Sequence, residues 1–132
     1  MATLKKVKEK AWKFYCSWRK VKTYSPALES EIRISLKGWR HLSGATGYKK
    51  RSAKDVYRRL TLLPYAKKII EKSTTIQNVT VKNGTTFYAL EAVIPVNKDG
   101  KTGLRKVRVI LVEDKAKNRI FLSIMDRKAS GK

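Results

Sequence analysis

Residues Thr85 to Val96 read Thr-Thr-Phe-Tyr-Ala-Leu-Glu-Ala-Val-Ile-Pro-Val. The run is long, apolar and rich in strand formers. Asn83-Gly84 stands directly before it. That dipeptide accepts positive φ at both positions and is the strongest short hairpin signal in the chain. Thr75 to Lys82, rich in Thr and Val, is the other arm of the hairpin. Pro95 has no N–H to give a ladder, so it belongs near the strand end or at an edge.

The same period continues downstream. Asn97-Lys98-Asp99-Gly100 is a turn signal. Leu104 to Val112 is a third strand, with Val107, Val109 and Leu111 opposite Lys106 and Arg108. Glu113 to Asn118 turns again. Arg119 to Met125 is a fourth strand, with Ile120, Leu122 and Ile124 opposite Phe121 and Ser123.

Upstream the period is helical. Over residues 2 to 20, Leu4, Val7, Ala11, Phe14, Tyr15 and Trp18 recur at helical spacing, with lysines on the remaining surface. Tyr24-Ser25-Pro26 blocks continuation of that helix. Ser52-Ala53-Lys54-Asp55 has the form of a capping box, and Val56, Leu60 and Leu63 follow on one face. Pro64 implies a helix pair or one bent helix across residues 52 to 72. The expected architecture is α+β: N-terminal helices packed on a four-stranded, or slightly larger, antiparallel sheet. Residues 1–30 form a basic helix and connection, 31–126 a single α+β domain, and 127–132 a frayed tail.

Charge limits the function. The chain has 132 residues and a formal net charge of +22. So many cations repel one another in a compact state and call for a polyanionic partner, nucleic acid first and an anionic membrane surface second. One cysteine, Cys16, and one histidine exclude an intrachain disulfide and argue against a thiolate or histidine metal set. No apolar run is long enough to span a membrane, and no secretory signal core is visible, so a cytoplasmic protein is expected.

The histidine lies in Glu31 to Leu42, Glu-Ile-Arg-Ile-Ser-Leu-Lys-Gly-Trp-Arg-His-Leu. Ile32, Ile34 and Leu36 read as one face of a short strand, and Lys37-Gly38 as a turn into a helix. The turn delivers His41 close to Lys37 and Arg40, cations that attract phosphate. Lys49, Lys50 and Arg51 follow in a glycine-containing loop, then Arg58 and Arg59 on the next helix; with Arg108 on the sheet they are candidate nucleic-acid contacts. Glu91, inside an apolar strand, is expected either to pair with a cation or to be catalytic. RNA cleavage suits such a site. RNA supplies its own 2′-hydroxyl nucleophile, and the protein need only move protons and hold charge on the phosphate. The competing reading is a non-catalytic basic module in which His41 is structural.

The order of elements, with a strand-turn ending in His and a hydroxyl on the last strand, resembles the barnase–EndoU–colicin D–RelE superfamily of small metal-independent ribonucleases. Ile32 to Leu42, and the helical segment Arg58-Arg59-Leu60-Thr61-Leu62-Leu63-Pro64, are closest to its colicin D and phage-associated branches. The resemblance implies a ribonuclease toxin that cuts tRNA or mRNA by 2′-hydroxyl attack, leaving a 2′,3′-cyclic phosphate. It implies His41 as the proton-transfer residue, Lys37 and Arg40 as phosphate stabilisers, and Ser123 as a hydrogen-bond donor to the phosphate. No cofactor or metal is expected. The implied partners are RNA and an acidic immunity or antitoxin protein.

Overall fold

Asn83 and Gly84 take φ values of 52° and 76°, the double positive φ of a two-residue hairpin turn, and the hairpin closes between Lys82 and Thr85. The chain is described here from a computed structural model covering residues 3–44, 52–98 and 100–128. Its elements are α1 (Leu4–Arg19), β1 (Tyr24–Ser25), β2 (Ser30–Glu31), α2 (Leu36–Ser43), α3 (Ala53–Lys72), β3 (Asn78–Lys82), β4 (Thr85–Lys98), β5 (Lys101–Glu113) and β6 (Arg119–Lys128). The last four form an antiparallel meander in the order β3-β4-β5-β6, and β1 and β2 make a small separate hairpin. The fold is α+β, as the sequence period implies.

Cross-strand partners share a face, and neighbours along a strand alternate. Leu90 and Val96 of β4 and Val107, Val109 and Leu111 of β5 therefore line one face, and all are buried in the core. Against them pack Ala11, Tyr15 and Trp18 of α1 and Leu60, Leu62, Leu63, Ala66, Ile69 and Ile70 of α3. The opposite face carries Glu91, Val93, Leu104, Lys106 and Arg108, of which Val93 and Leu104 are exposed.

Strand β6 departs from simple alternation. Phe121 and Ile124 both enter the core, although they lie three residues apart. The β5–β6 register shifts between Ile110 and Leu111, so Leu122 has no partner on β5. This bulge exchanges the two faces, and the expected grouping of Ile120, Leu122 and Ile124 does not form.

The segment before α2 also differs from expectation. Within residues 32–35, Arg33 makes a parallel bridge to Ile120, and the Ile32 amide donates to the Thr23 carbonyl at 2.8 Å. The Arg33 amide donates to the Arg119 carbonyl at 2.8 Å, and the Arg33 carbonyl accepts from the Phe121 amide at 2.9 Å. Leu36 is exposed because the helix has already begun there, after Ser35 at the N-cap. Lys37-Gly38 is therefore not a turn. Gly38 sits inside α2 because the helix crosses β6 closely: a Cβ there would lie 2.5 Å from the Phe121 carbonyl oxygen and 2.6 Å from the Tyr15 hydroxyl.

α3 is one continuous helix. Ser52 Oγ accepts from the Asp55 amide at 3.1 Å, as a capping box requires. Pro64 lies within the helix on its exposed side, where its missing N–H does not disturb the core. In α1, Trp18 Nε1 donates to Thr23 Oγ1 at 2.8 Å, and the Tyr15 hydroxyl donates to the Ser35 carbonyl. Burial pushes the Tyr15 phenol well above the ordinary tyrosine range.

Replacing Gly38 with Ala adds a helix-favouring methyl but drives it into the β6 backbone. The expected outcome in urea denaturation is a loss of about 1–3 kcal/mol, the usual cost of overpacking. Adding Tyr15→Phe should recover only part of it, since the Phe121 carbonyl remains in the way.

Candidate active site

α2, α3 and β6 pack on one another, and most of the residues singled out from the sequence lie on these three elements. In α2, Gly38 and Leu42 face inward and are buried. Lys37, Arg40 and His41 lie within one turn of each other, and Lys37 and His41 share a helix face at i, i+4. Lys37 and Arg40 are exposed and His41 is half-buried. Arg40 and His41 occupy the last turn, where free carbonyls favour positive charge. Gly44 ends the helix with a φ of 79°. Lys49, Lys50 and Arg51 lie outside the described residues.

Arg59 and Ser123 meet, but beneath the surface. Arg59 is 9% exposed and Ser123 is 1% exposed. Arg59 Nη1 donates to Ser123 Oγ at 2.6 Å and to the Ile124 carbonyl at 3.3 Å, while its Nε donates to Asp55 Oδ2 at 3.0 Å. Arg59 thus ties α3 to the outer edge of β6 and is not a surface contact for RNA. Ser123 Oγ accepts from this buried guanidinium and keeps its own hydroxyl proton to donate. Helical period alone could not show this, because a long arginine off the apolar stripe can still reach a strand edge.

Arg58 is half exposed. It lies 3.1 Å from Asp55 and 3.9 Å from Asp126. Asp126 is buried between Arg58 and Arg105, whose Nε is 2.8 Å away. Asp55, read from the sequence as a capping residue, therefore also holds two arginines. Arg105 and Asp126 carried no sequence signal beyond their place in strand ends.

A second basic cluster lies on the sheet face away from the helices. Arg108 Nε donates to Glu91 Oε2 at 2.8 Å, and Arg127 approaches the same oxygen at 3.8 Å. Lys106 pairs across the strands with Arg127. These side chains and Met125 line an open groove of about 280 Å³. Glu91 is therefore an ion-pair partner, and with Asp126 it is one of two carboxylates in a groove that holds three cations. Arg108 stands on the surface where the strand pattern puts it. Lys106 was visible in the same alternation, whereas Arg127 fell in the stretch read as tail.

Among the described residues, no group of three or more His, Cys, Asp or Glu side chains comes together in a way that could hold a metal ion. None of those helices is long and apolar enough to cross a membrane. The chain matches no known family, no curated protein and no solved structure.

Arg59→Ala leaves Asp55 without its closest partner and uncovers the Ile124 carbonyl. It should lower stability by about 3 kcal/mol, the scale for breaking a buried charge pair from one side. Arg59→Lys should rescue little of this, because one ammonium cannot reproduce the fork to Asp55 and Ser123. Thermal melts of both variants check this.

Proposed function

We propose that the chain is an endoribonuclease toxin that cuts RNA by attack of the 2′-hydroxyl, leaving a 2′,3′-cyclic phosphate, with its centre at the junction of α2, α3 and β6. The observation that carries this reading is that the one histidine, half-buried, lies one turn from the exposed Lys37 and next to the exposed Arg40 on α2. The resemblance to the barnase–EndoU–colicin D–RelE superfamily, and the net charge of +22, support it.

The chemistry follows from these groups. His41 takes the 2′-hydroxyl proton or returns one to the departing 5′-oxygen. Lys37 and Arg40 hold the negative charge that grows on the phosphorus oxygens. Ser123, with its oxygen engaged by Arg59, fixes the strand on which α2 rests and acts by positioning. The Lys106–Arg108–Arg127 face supplies further phosphate contacts. An acidic immunity or antitoxin protein covering His41 fits this charge. The cytoplasm, where the RNA lies, is the proposed place of action.

One observation favours a second reading. The Ser123 hydroxyl is buried, which suits a basic module that binds RNA without cutting it.

Incubation with total RNA, with and without chelator, separates the two. Under the first reading His41→Ala lowers the cleavage rate by roughly 10²–10⁴-fold, the size of an acid–base contribution. The same variant keeps its RNA affinity, and chelator changes nothing. Ser123→Ala should lower the melting temperature and reduce activity only with the folded fraction. An inactive wild-type protein that binds RNA tightly establishes the binding module instead.

Salt dependence gives an independent check on the contacts. Each lost phosphate contact flattens the dependence of log affinity on log salt by about 0.7–0.9. The double variant Lys37→Ala, Arg40→Ala should therefore flatten it by about 1.5, whereas Arg59→Lys should leave it unchanged.

A further inference from the structure

We infer that the free edge of β4, with the groove beside it, is a docking site for an extended acidic segment of a partner polypeptide. β3 covers only part of β4: its register runs from Asn78 opposite Ala89 to Lys82 opposite Thr85. One residue earlier, the Gln77 amide donates to the Ala89 carbonyl at 2.8 Å. From Glu91 to Asn97, β4 has β5 on one side, and no strand on the other among the described residues.

The direction of the backbone on this stretch can be worked out. The Ala89 carbonyl points toward β3, away from β5. The Asn97 amide also points away from β5 and donates to the Tyr65 hydroxyl oxygen at 3.2 Å. Residues spaced by two along a strand present their backbone groups to the same side. Glu91, Val93 and Pro95 therefore turn their backbone groups to the free edge. Pro95 lacks an N–H on that side only, so the ladder to β5 loses nothing. The edge offers the N–H and C=O of Glu91 and Val93, and the C=O of Pro95, a row that fits one short added strand.

Beside this edge, between α3 and β4, lies a groove of about 340 Å³ lined by Tyr65, Ile69, Ala92, Ile94 and Pro95, with Lys68 and Lys72 on its rim. Ala92 and Ile94 face the helix side, while Val93, 52% exposed, faces the other. An added strand would drop alternate side chains into the groove over Ala92 and Ile94. Apolar side chains suit that floor, and carboxylates suit Lys68 and Lys72. Peptide amides match the edge and apolar side chains match the floor, and nucleic acid offers neither. The site uses the C-terminal half of α3 and a strand two places from β6, so it does not depend on the reading of His41.

The test uses the full chain and a fluorescent peptide about eight residues long, alternating Glu and Val, long enough for one strand. Its Lys–Val counterpart serves as the control. Anisotropy should show binding of the acidic peptide only, and the amides of Glu91 and Val93 should exchange more slowly when it is bound. Val93→Pro removes an edge N–H without removing a β5 bond, and should weaken binding about tenfold, the worth of one or two backbone hydrogen bonds. Lys68→Glu with Lys72→Glu should weaken it comparably and leave the melting temperature unchanged. Failure of the acidic peptide to bind overturns the proposal. So does equal binding of the Lys peptide, or affinity unchanged in both variants. Displacement by RNA homopolymer also overturns it, and marks the groove as a nucleic-acid surface.

Discussion

An edge strand leaves a row of backbone donors and acceptors without partners, and the fold depends on how the outer edge of β6 is closed. Three segments distant in sequence close it. Arg33 bonds to the Arg119 carbonyl and the Phe121 amide. α2 lies over the Phe121 carbonyl, at a distance only glycine permits. Arg59 covers the Ile124 carbonyl. The bulge at Leu122 turns both Phe121 and Ile124 inward, so the strand that receives these segments also fills the core beneath them. The placement of His41 follows, because α2 can lie only where Gly38 fits.

Arginine and lysine divide the work in this cationic chain. Four carboxylates, Asp55, Asp126, Glu91 and Glu113, each hold one or two arginines. Arginine suits such places because its planar fork meets two acceptors at once. At Glu113 the Arg119 guanidinium holds the carboxyl below its ordinary range, and the Tyr88 hydroxyl adds a further bond. The stability this contributes is present above the ordinary carboxylate range and is lost as pH falls through the lowered value. Lysines such as Lys37, Lys68 and Lys72 remain on the surface.

Much of the fold was legible in the sequence because its signals are local. Asn83-Gly84, Ser52 with Asp55, and the stripe Ala11–Tyr15–Trp18 each need only their neighbours to be read. What stayed hidden depends on contacts far apart in the chain. The bulge at Leu122 reverses the phase of β6, and no period within Arg119 to Met125 reveals it. Gly38 looks like a turn residue until Phe121 is placed against it. Of the candidate site, the cluster was visible as His41 beside two cations, Lys37 and Arg40, and Arg108 as the polar side of a strand. Arg59 and Ser123 were singled out from the right elements, but period could not show that they face each other inside.

The order in which the chain is made gives the closure of β6 a temporal consequence. α1, α2 and α3 leave the ribosome before the strand they rest on. Until Phe121 and Ser123 emerge, Tyr15 and Trp18 lack the Phe121 ring, Gly38 lacks the β6 backbone it lies against, and Arg59 has no strand to hold. Such long-range pairings form late and slowly. The junction that carries His41 is thus assembled only after β6 has emerged, which leaves an interval in which the nascent chain is basic but α2 and α3 lack the strand that joins them.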